Sequence, residues 1–166
     1  VVGFYGAAYK LFEVAVVLPH SFMLVLFPTL VEEYHSDRSQ FKDRFKKALV
    51  IYSLIGGSIA LALWVFSHEI ITLMYGDKFL PSLAVLDILS GVILLFFINF
   101  LLSNILIISG RERINTWNLA GATVLNVILN LALIPLYGAI GAAWASLFCE
   151  AGLIAVLSLQ VQKLFK

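Results

Sequence analysis

Charge is what this sequence has least of. Only 13% of its 166 residues are Asp, Glu, Lys or Arg, about half the share of an ordinary soluble domain. From Ile114 to Cys149 there is no charged residue at all. A water-soluble globular fold is excluded on that ground. Net charge is +1, and no basic excess points to nucleic acid, so none is expected as a partner. The single Cys149 cannot form an internal disulfide, which leaves the redox compartment unreadable. There is no Gly-rich phosphate loop, no His/Cys metal spacing and no nucleophile–base arrangement. His20, His35 and His68 fall in a mid-span, a connection and the opposite interface, too far apart to converge. The expectation is therefore not an enzyme, with no cofactor and no metal. Val1 is not an initiator Met and no basic segment precedes the first apolar run, so no signal peptide is read. The chain is expected to be cut from something longer.

What is present is apolar: 61% of the residues are hydrophobic. In lipid the backbone must satisfy itself, which leaves helices or a closed barrel. The uncharged runs are too long for barrel strands and lack period-2 alternation. The fold class predicted is all-α, a polytopic transmembrane helical bundle. About five spans emerge, near residues 3-33, 46-74, 81-109, 114-135 and 139-162, in one transmembrane domain covering 1-166.

The last two spans form a hairpin. Pro135 and Gly138 split the long uncharged run into two halves, each close to the ~20 residues that cross a ~30 Å core. Glu150 falls near the middle of the final helix, where a charge costs about 2.5–3.5 kcal/mol on insertion scales. It must face protein or a wet cavity. Counted outward from the turn, Glu150 lies at nearly the depth of Asn126, with Asn130 one turn away. These three polar groups are candidates for one patch. Glu150 would anchor its helix by hydrogen bonds to Asn126 or to free backbone groups, or couple transport to an ion.

Basic residues set the expected orientation. The first connection holds Arg38, Lys42, Arg44, Lys46 and Lys47; the second only Lys78; the third Arg111 and Arg113; the fourth none; the tail Lys163 and Lys166. This alternation places the N-terminus outside and the C-terminus in the cytoplasm. Tyr5, Tyr34, Tyr52, Trp64, Tyr75, Trp117 and Tyr137 near the predicted ends fit interfacial belts. In the first connection Phe41 and Phe45 stand at i, i+4 among the bases. Two readings stay open: a short helix lying on the cytoplasmic leaflet, held by anionic headgroups of membrane lipid, or a solvated basic loop that fixes topology.

Inside the first span Lys10 and Glu13, at i, i+3, can pair. They would line a wet cavity that meets an anionic or sugar-bearing substrate, or Lys10 would snorkel to headgroups with Glu13 as its partner. Pro19 and Pro28 are expected to bend that helix, and His20 to be a hydrogen-bonded packing residue. Gly56-Gly57-Ser58 would admit a neighbouring backbone, and Asn99 and Asn104 would bond between helices. Asp87 reads as a helix-start acid. Gly141 to Ser146 is a small-residue segment for tight packing.

Three ordered stretches carry a resemblance. VVGFYGAAYKLFEVAVVLP followed by LFPTL, then ITLMYGDKFLPSLAVLDILS, then NLAGATVLNVILNLALIPLYGAIGAAWASLFCE resemble the corresponding segments of bacterial and archaeal polysaccharide biosynthesis flippases. These belong to the multidrug/oligosaccharidyl-lipid/polysaccharide flippase superfamily. The resemblance implies two six-helix lobes around a central cavity. It implies movement of polyprenyl-diphosphate-linked oligosaccharide across the plasma (cytoplasmic) membrane by alternating access, as in O-antigen and other cell-envelope polysaccharide biosynthesis. This chain resembles the second lobe without its first helix. The N-terminal lobe of the same polypeptide is then a missing partner, and the piece alone is not expected to transport. The candidate substrate-cavity residues are Lys10, Glu13, Asn126, Asn130 and Glu150. Two alternatives stand beside this reading: a cation-coupled multidrug exporter of the same superfamily, and a non-transporting membrane subunit of a glycan-assembly complex.

Overall fold

The computed structural model describes residues 2–165. Six α-helices follow one another: α1 (Val2–Ser36), α2 (Arg38–Val65), α3 (Ser67–Tyr75), α4 (Leu83–Ile108), α5 (Glu112–Tyr137) and α6 (Ala139–Gln162). A 3-10 helix, Asp77–Ser82, leads into α4, and there is no strand among the described residues. Five segments are long and apolar enough to cross a membrane: α1, α2, α4 with its 3-10 lead, α5 and α6. The all-α polytopic bundle expected from the sequence is what the chain forms.

Helix α4 is the hub. It is apolar all round, the pattern of a helix enclosed by others. Helices α1, α2 and α6 all pack on it, burying Leu86, Ile93, Phe97, Leu101 and Ile105 completely. Between lipid-facing helices there is little hydrophobic driving force, because lipid tails are as apolar as leucine; close packing and hydrogen bonds hold the bundle instead. Two buried clusters share the work. The larger joins Met23, Leu30, Phe41, Tyr52, Phe97 and Leu157, and the smaller joins Ala8, Ile71, Val85, Leu89 and Ala143. Helix α5 lies outermost, packed chiefly on α6, and buries only Asn115.

The connections bring the bases to one end. There the Tyr34 hydroxyl donates to the Ser109 carbonyl at 3.4 Å, and Phe165 packs on Phe41 and Phe45. The turns after α1 and α4 and the C-terminal segment therefore share this end. The opposite end carries the 3-10 helix, where Phe4 meets Phe79 edge-on.

Several expectations need correction. The second span, expected at 46-74, is two helices. Helix α2 stops at Val65, Phe66 leaves the helical region at φ −101°, ψ 18°, and α3 begins at Ser67 with an acid, Glu69, in its first turn. The first connection is neither a separate surface helix nor a loop. Helix α2 starts at Arg38 and runs unbroken, so Phe41 and Phe45 are buried against protein. Tyr52 is no interfacial residue; it is buried and donates to the Pro19 carbonyl at 3.0 Å. Gly56 admits the Phe97 ring, 2.9 Å from where a Cβ would stand, and not a backbone. Asn104 donates to Phe100 of its own helix at 2.8 Å, not across helices. Asp87 is the fifth residue of α4, beyond its first turn, and one of its oxygens is buried without a donor.

The early start of α2 has a visible cause. Asp37 accepts from the Ser39 and Gln40 backbone N–H groups at 2.9 and 3.1 Å, and from the Gln40 side-chain amide at 3.0 Å. This is an N-cap, to which the Gln40 side-chain amide adds a further donor. The Gln40 and Ser39 N–H groups hold the Asp37 carboxyl below its ordinary value. A depressed carboxyl stabilises the fold fully above its unfolded pKa of about 3.9 and loses that contribution as pH falls through the lower folded value. Asp37→Ala should therefore lower the melting temperature at neutral pH. The gap to the parent should narrow in acid, and Asp37→Asn, which keeps the acceptor oxygen but not the charge, should restore only part of the loss. A pH-independent gap in a melting series would remove the charge from the explanation.

Candidate functional site

The polar residues inside the spans resolve into separate pairs. Lys10 Nζ lies 2.6 Å from Glu13 Oε2 on an exposed face of α1, the i, i+3 pair the sequence predicts. Asn130 Nδ2 donates to the Asn126 carbonyl at 2.9 Å and to its Oδ1 at 2.8 Å. Glu150 turns elsewhere. Asn99 of α4, 3% exposed, donates through Nδ2 to Glu150 Oε2 at 2.6 Å and to the Glu150 carbonyl at 2.8 Å. The expected bond from Glu150 to Asn126 is thus replaced by one to Asn99.

Helix geometry gives the reason. Counting from the hairpin turn fixes depth but not direction around the axis. Cys149 faces α5, its thiol 3.7 Å from the Ala122 carbonyl. Glu150 follows about 100° further round and so points to α4. Gln160, three turns beyond Cys149, returns to the α5 side. It exchanges two hydrogen bonds with Asn118, at 2.6 and 3.1 Å. Sequence reading missed this amide pair, although the same depth count matches Asn118 with Gln160.

The hairpin itself depends on two glycines. Gly138 sits at φ 60°, ψ −133°, a conformation closed to residues with a Cβ. Three residues on, Gly141 lies against the Leu133 carbonyl of α5. His20 Nδ1 is 2.9 Å from the Val16 carbonyl and its ring packs on Phe100 at 4.2 Å, a hydrogen-bonded packing role. Among the described residues no group of His, Cys, Asp and Glu could hold a metal ion.

At the basic end the side chains are partly engaged. Arg38 covers the Tyr34 ring at 3.6 Å and Lys42 faces Phe165 at 5.8 Å. Arg44 Nε donates to Glu33 Oε1 at 2.6 Å. Lys46 and Lys47 are exposed. The Glu33–Arg44 pair, joining α1 to α2, is a second contact sequence reading missed; no periodic signal links residues in different helices.

The profile of the polysaccharide biosynthesis protein family matches residues 1–84, the first half of the 166-residue chain. The chain belongs to the polysaccharide biosynthesis protein family. The match covers α1 to α3 and the 3-10 helix, including the Lys10–Glu13 pair and the whole basic segment. The chain is also 31% identical over 125 residues to an uncharacterized membrane protein of Methanocaldococcus jannaschii, across 75% of this chain. It spans only 25% of that relative's length. No solved structure matches it. Family membership and five apolar spans together make this a multi-pass membrane protein connected with polysaccharide synthesis.

Proposed function

We propose that this chain is most of the C-terminal lobe of a flippase. The whole protein would carry polyprenyl-diphosphate-linked oligosaccharide across the plasma membrane, with a second lobe of the same polypeptide completing the cavity. The observation that carries this reading is the match to a polysaccharide family on a bundle whose spans hold charged and amide side chains. Membrane-embedded ionisable groups are costly and mark pathways for polar cargo. The activity proposed is transport, not catalysis.

The bases gathered at one end support a cytoplasmic side there under the positive-inside rule, with the N-terminus then outside. Lys10 then stands in the outer half of α1. It is exposed and held by Glu13, and is the basic residue within the spans best placed to meet a diphosphate. Asn126, Asn130 and Glu150 line or brace the cavity from the hairpin side.

The test is complementation by the full-length protein in a cell lacking its own glycan flippase. Surface polysaccharide and accumulated lipid-linked precursor are the readouts. Restored polysaccharide with precursor clearing supports flipping. Protection from cationic drugs without restoration moves the assignment to drug export. Lys10→Ala should cut surface polysaccharide severalfold at unchanged protein level, and unchanged export would remove Lys10 from the substrate path.

A further inference from the structure

Helices α1 and α2 both pack on α4 but touch each other sparingly. Between them lies a groove of about 710 Å³. Its walls are apolar, with Leu18, Phe22 and Val25 on α1 and Ile51 on α2, except at one end, where Arg44 and Lys47 close it. The α1 wall runs from Leu18 to Thr29, about 16 Å at ~1.5 Å per residue. That is about half of a ~30 Å hydrocarbon core, or one leaflet. The groove thus begins at the basic end of the bundle and reaches about to the midplane.

A second hollow, about 240 Å³, adjoins the charged end. It shares Arg44 and Lys47 and adds Glu33, Gln40 and Asp43. Glu33 is 7% exposed and its Oε2 has no hydrogen-bond donor. Arg44 spends its Nε on the other Glu33 oxygen, leaving the two terminal nitrogens of the guanidinium; Lys47 has no acceptor among the described residues. The arrangement offers cationic donors at the groove mouth and unsatisfied carboxylate oxygen just beyond. The lining is itself balanced, Arg44 and Lys47 against Glu33 and Asp43. Residues 32–47, 111–113 and 163 at this end carry eight bases against five acids, and that surrounding excess favours an occupant with net negative charge.

We propose that the α1–α2 groove binds one anionic phospholipid with a hydroxylated headgroup. An acyl chain lies along Leu18, Phe22, Val25 and Ile51, the phosphate meets Arg44 and Lys47, and the headgroup hydroxyls face Glu33 and Asp43. Charge complementarity selects this occupant over a bare hydrocarbon tail. The carboxylate oxygens of the hollow accept from headgroup hydroxyls, and the excess of bases around the site at this end favours a net anion over a zwitterion. Such a lipid would add to the Arg44–Glu33 and Tyr52–Pro19 contacts that join α1 to α2.

The probes are phosphatidylglycerol and phosphatidylethanolamine of identical acyl chains, added to the full-length protein in detergent. Native mass spectrometry reads the bound lipid and a melting curve reads its effect. Phosphatidylglycerol should give one retained lipid and a raised melting temperature, and phosphatidylethanolamine neither. Lys47→Gln should weaken retention about fivefold, the worth of one basic residue at an anionic surface. Val25→Trp should block the groove from a position that is 81% exposed and so leave the lipid-free melting temperature unchanged. Equal retention of the two lipids, no retention of either, or phosphatidylglycerol binding unaffected by both substitutions would overturn the proposal. None of these readouts depends on transport, so failure here and failure of the flippase reading are separable.

Discussion

Gly141→Ala is expected to disrupt the α5–α6 hairpin, although alanine is the better helix former. A Cβ at Gly141 would overlap the Leu133 carbonyl oxygen, lie 2.6 Å from its carbon and 3.1 Å from the Ile134 nitrogen. These are backbone atoms of a neighbouring helix, and no rotamer change relieves them. Either α6 moves away from α5 or the last turn of α5 deforms. Over-packing of this kind costs about 1–3 kcal/mol and sometimes more, against a propensity gain of about 0.8–1.0 kcal/mol from replacing glycine. The clash wins.

The same two helices hold their own controls. A Cβ at Gly121 of α5 or Gly152 of α6 meets nothing within 4 Å. Gly121→Ala and Gly152→Ala should be neutral or slightly stabilising. Helix α5 depends on α6 for nearly all its packing, so separation at Gly141 also endangers the Asn118–Gln160 pair at the far end of the hairpin. The measurement is the melting temperature of each variant in detergent by fluorescence-detected gel filtration. If Gly141→Ala melts with Gly152→Ala, the close approach has no energetic weight.

The spans were legible because their signal is one-dimensional: an apolar run long enough for a bilayer reads the same whatever surrounds it. The hairpin was legible for the same reason, with Pro135 and Gly138 as punctuation. What the sequence hid is direction. Phe41 and Phe45 show one i, i+4 stripe whether lipid or protein covers it, and tertiary contacts such as Tyr34 on Phe41 and Phe165 on both rings decide. Asp37 with Gln40 three residues on was a readable start signal for α2, and the density of bases over 38–47 obscured it. Glu150 and Asn126 share a depth, yet one residue of rotation sends the carboxylate to Asn99. The depth of these polar groups along their helices was legible, and their partners were not. The pairs between helices, Glu33–Arg44, Asn99–Glu150 and Asn118–Gln160, are where tertiary structure adds what periodicity cannot.

Asn99→Leu should be among the most damaging polar substitutions in the bundle, and Glu150→Leu should rescue it. The Asn99 amide gives Glu150 two hydrogen bonds, one to the carboxylate and one to the carbonyl. Interhelical hydrogen bonds in membranes average about 0.6 kcal/mol, but bonds to charged groups reach about 1.5–3 kcal/mol. Removing the donor also leaves the half-buried Glu150 carboxylate without its partner between α4 and α6, a further cost. Asn99→Leu alone should therefore lose about 1.5–3 kcal/mol. The Asn99→Leu, Glu150→Leu double variant should recover most of it, since two apolar groups in contact replace the pair without stranding either. Additive losses in the double-variant cycle would show that the contact carries no energy. Glu150→Gln then separates bracing from ion coupling. Its side-chain oxygen can still accept from Asn99, so a brace keeps both fold and glycan export, and that is the expected result. A Glu150→Gln protein that folds and reaches the membrane but exports nothing would make the ionisable proton the functional element.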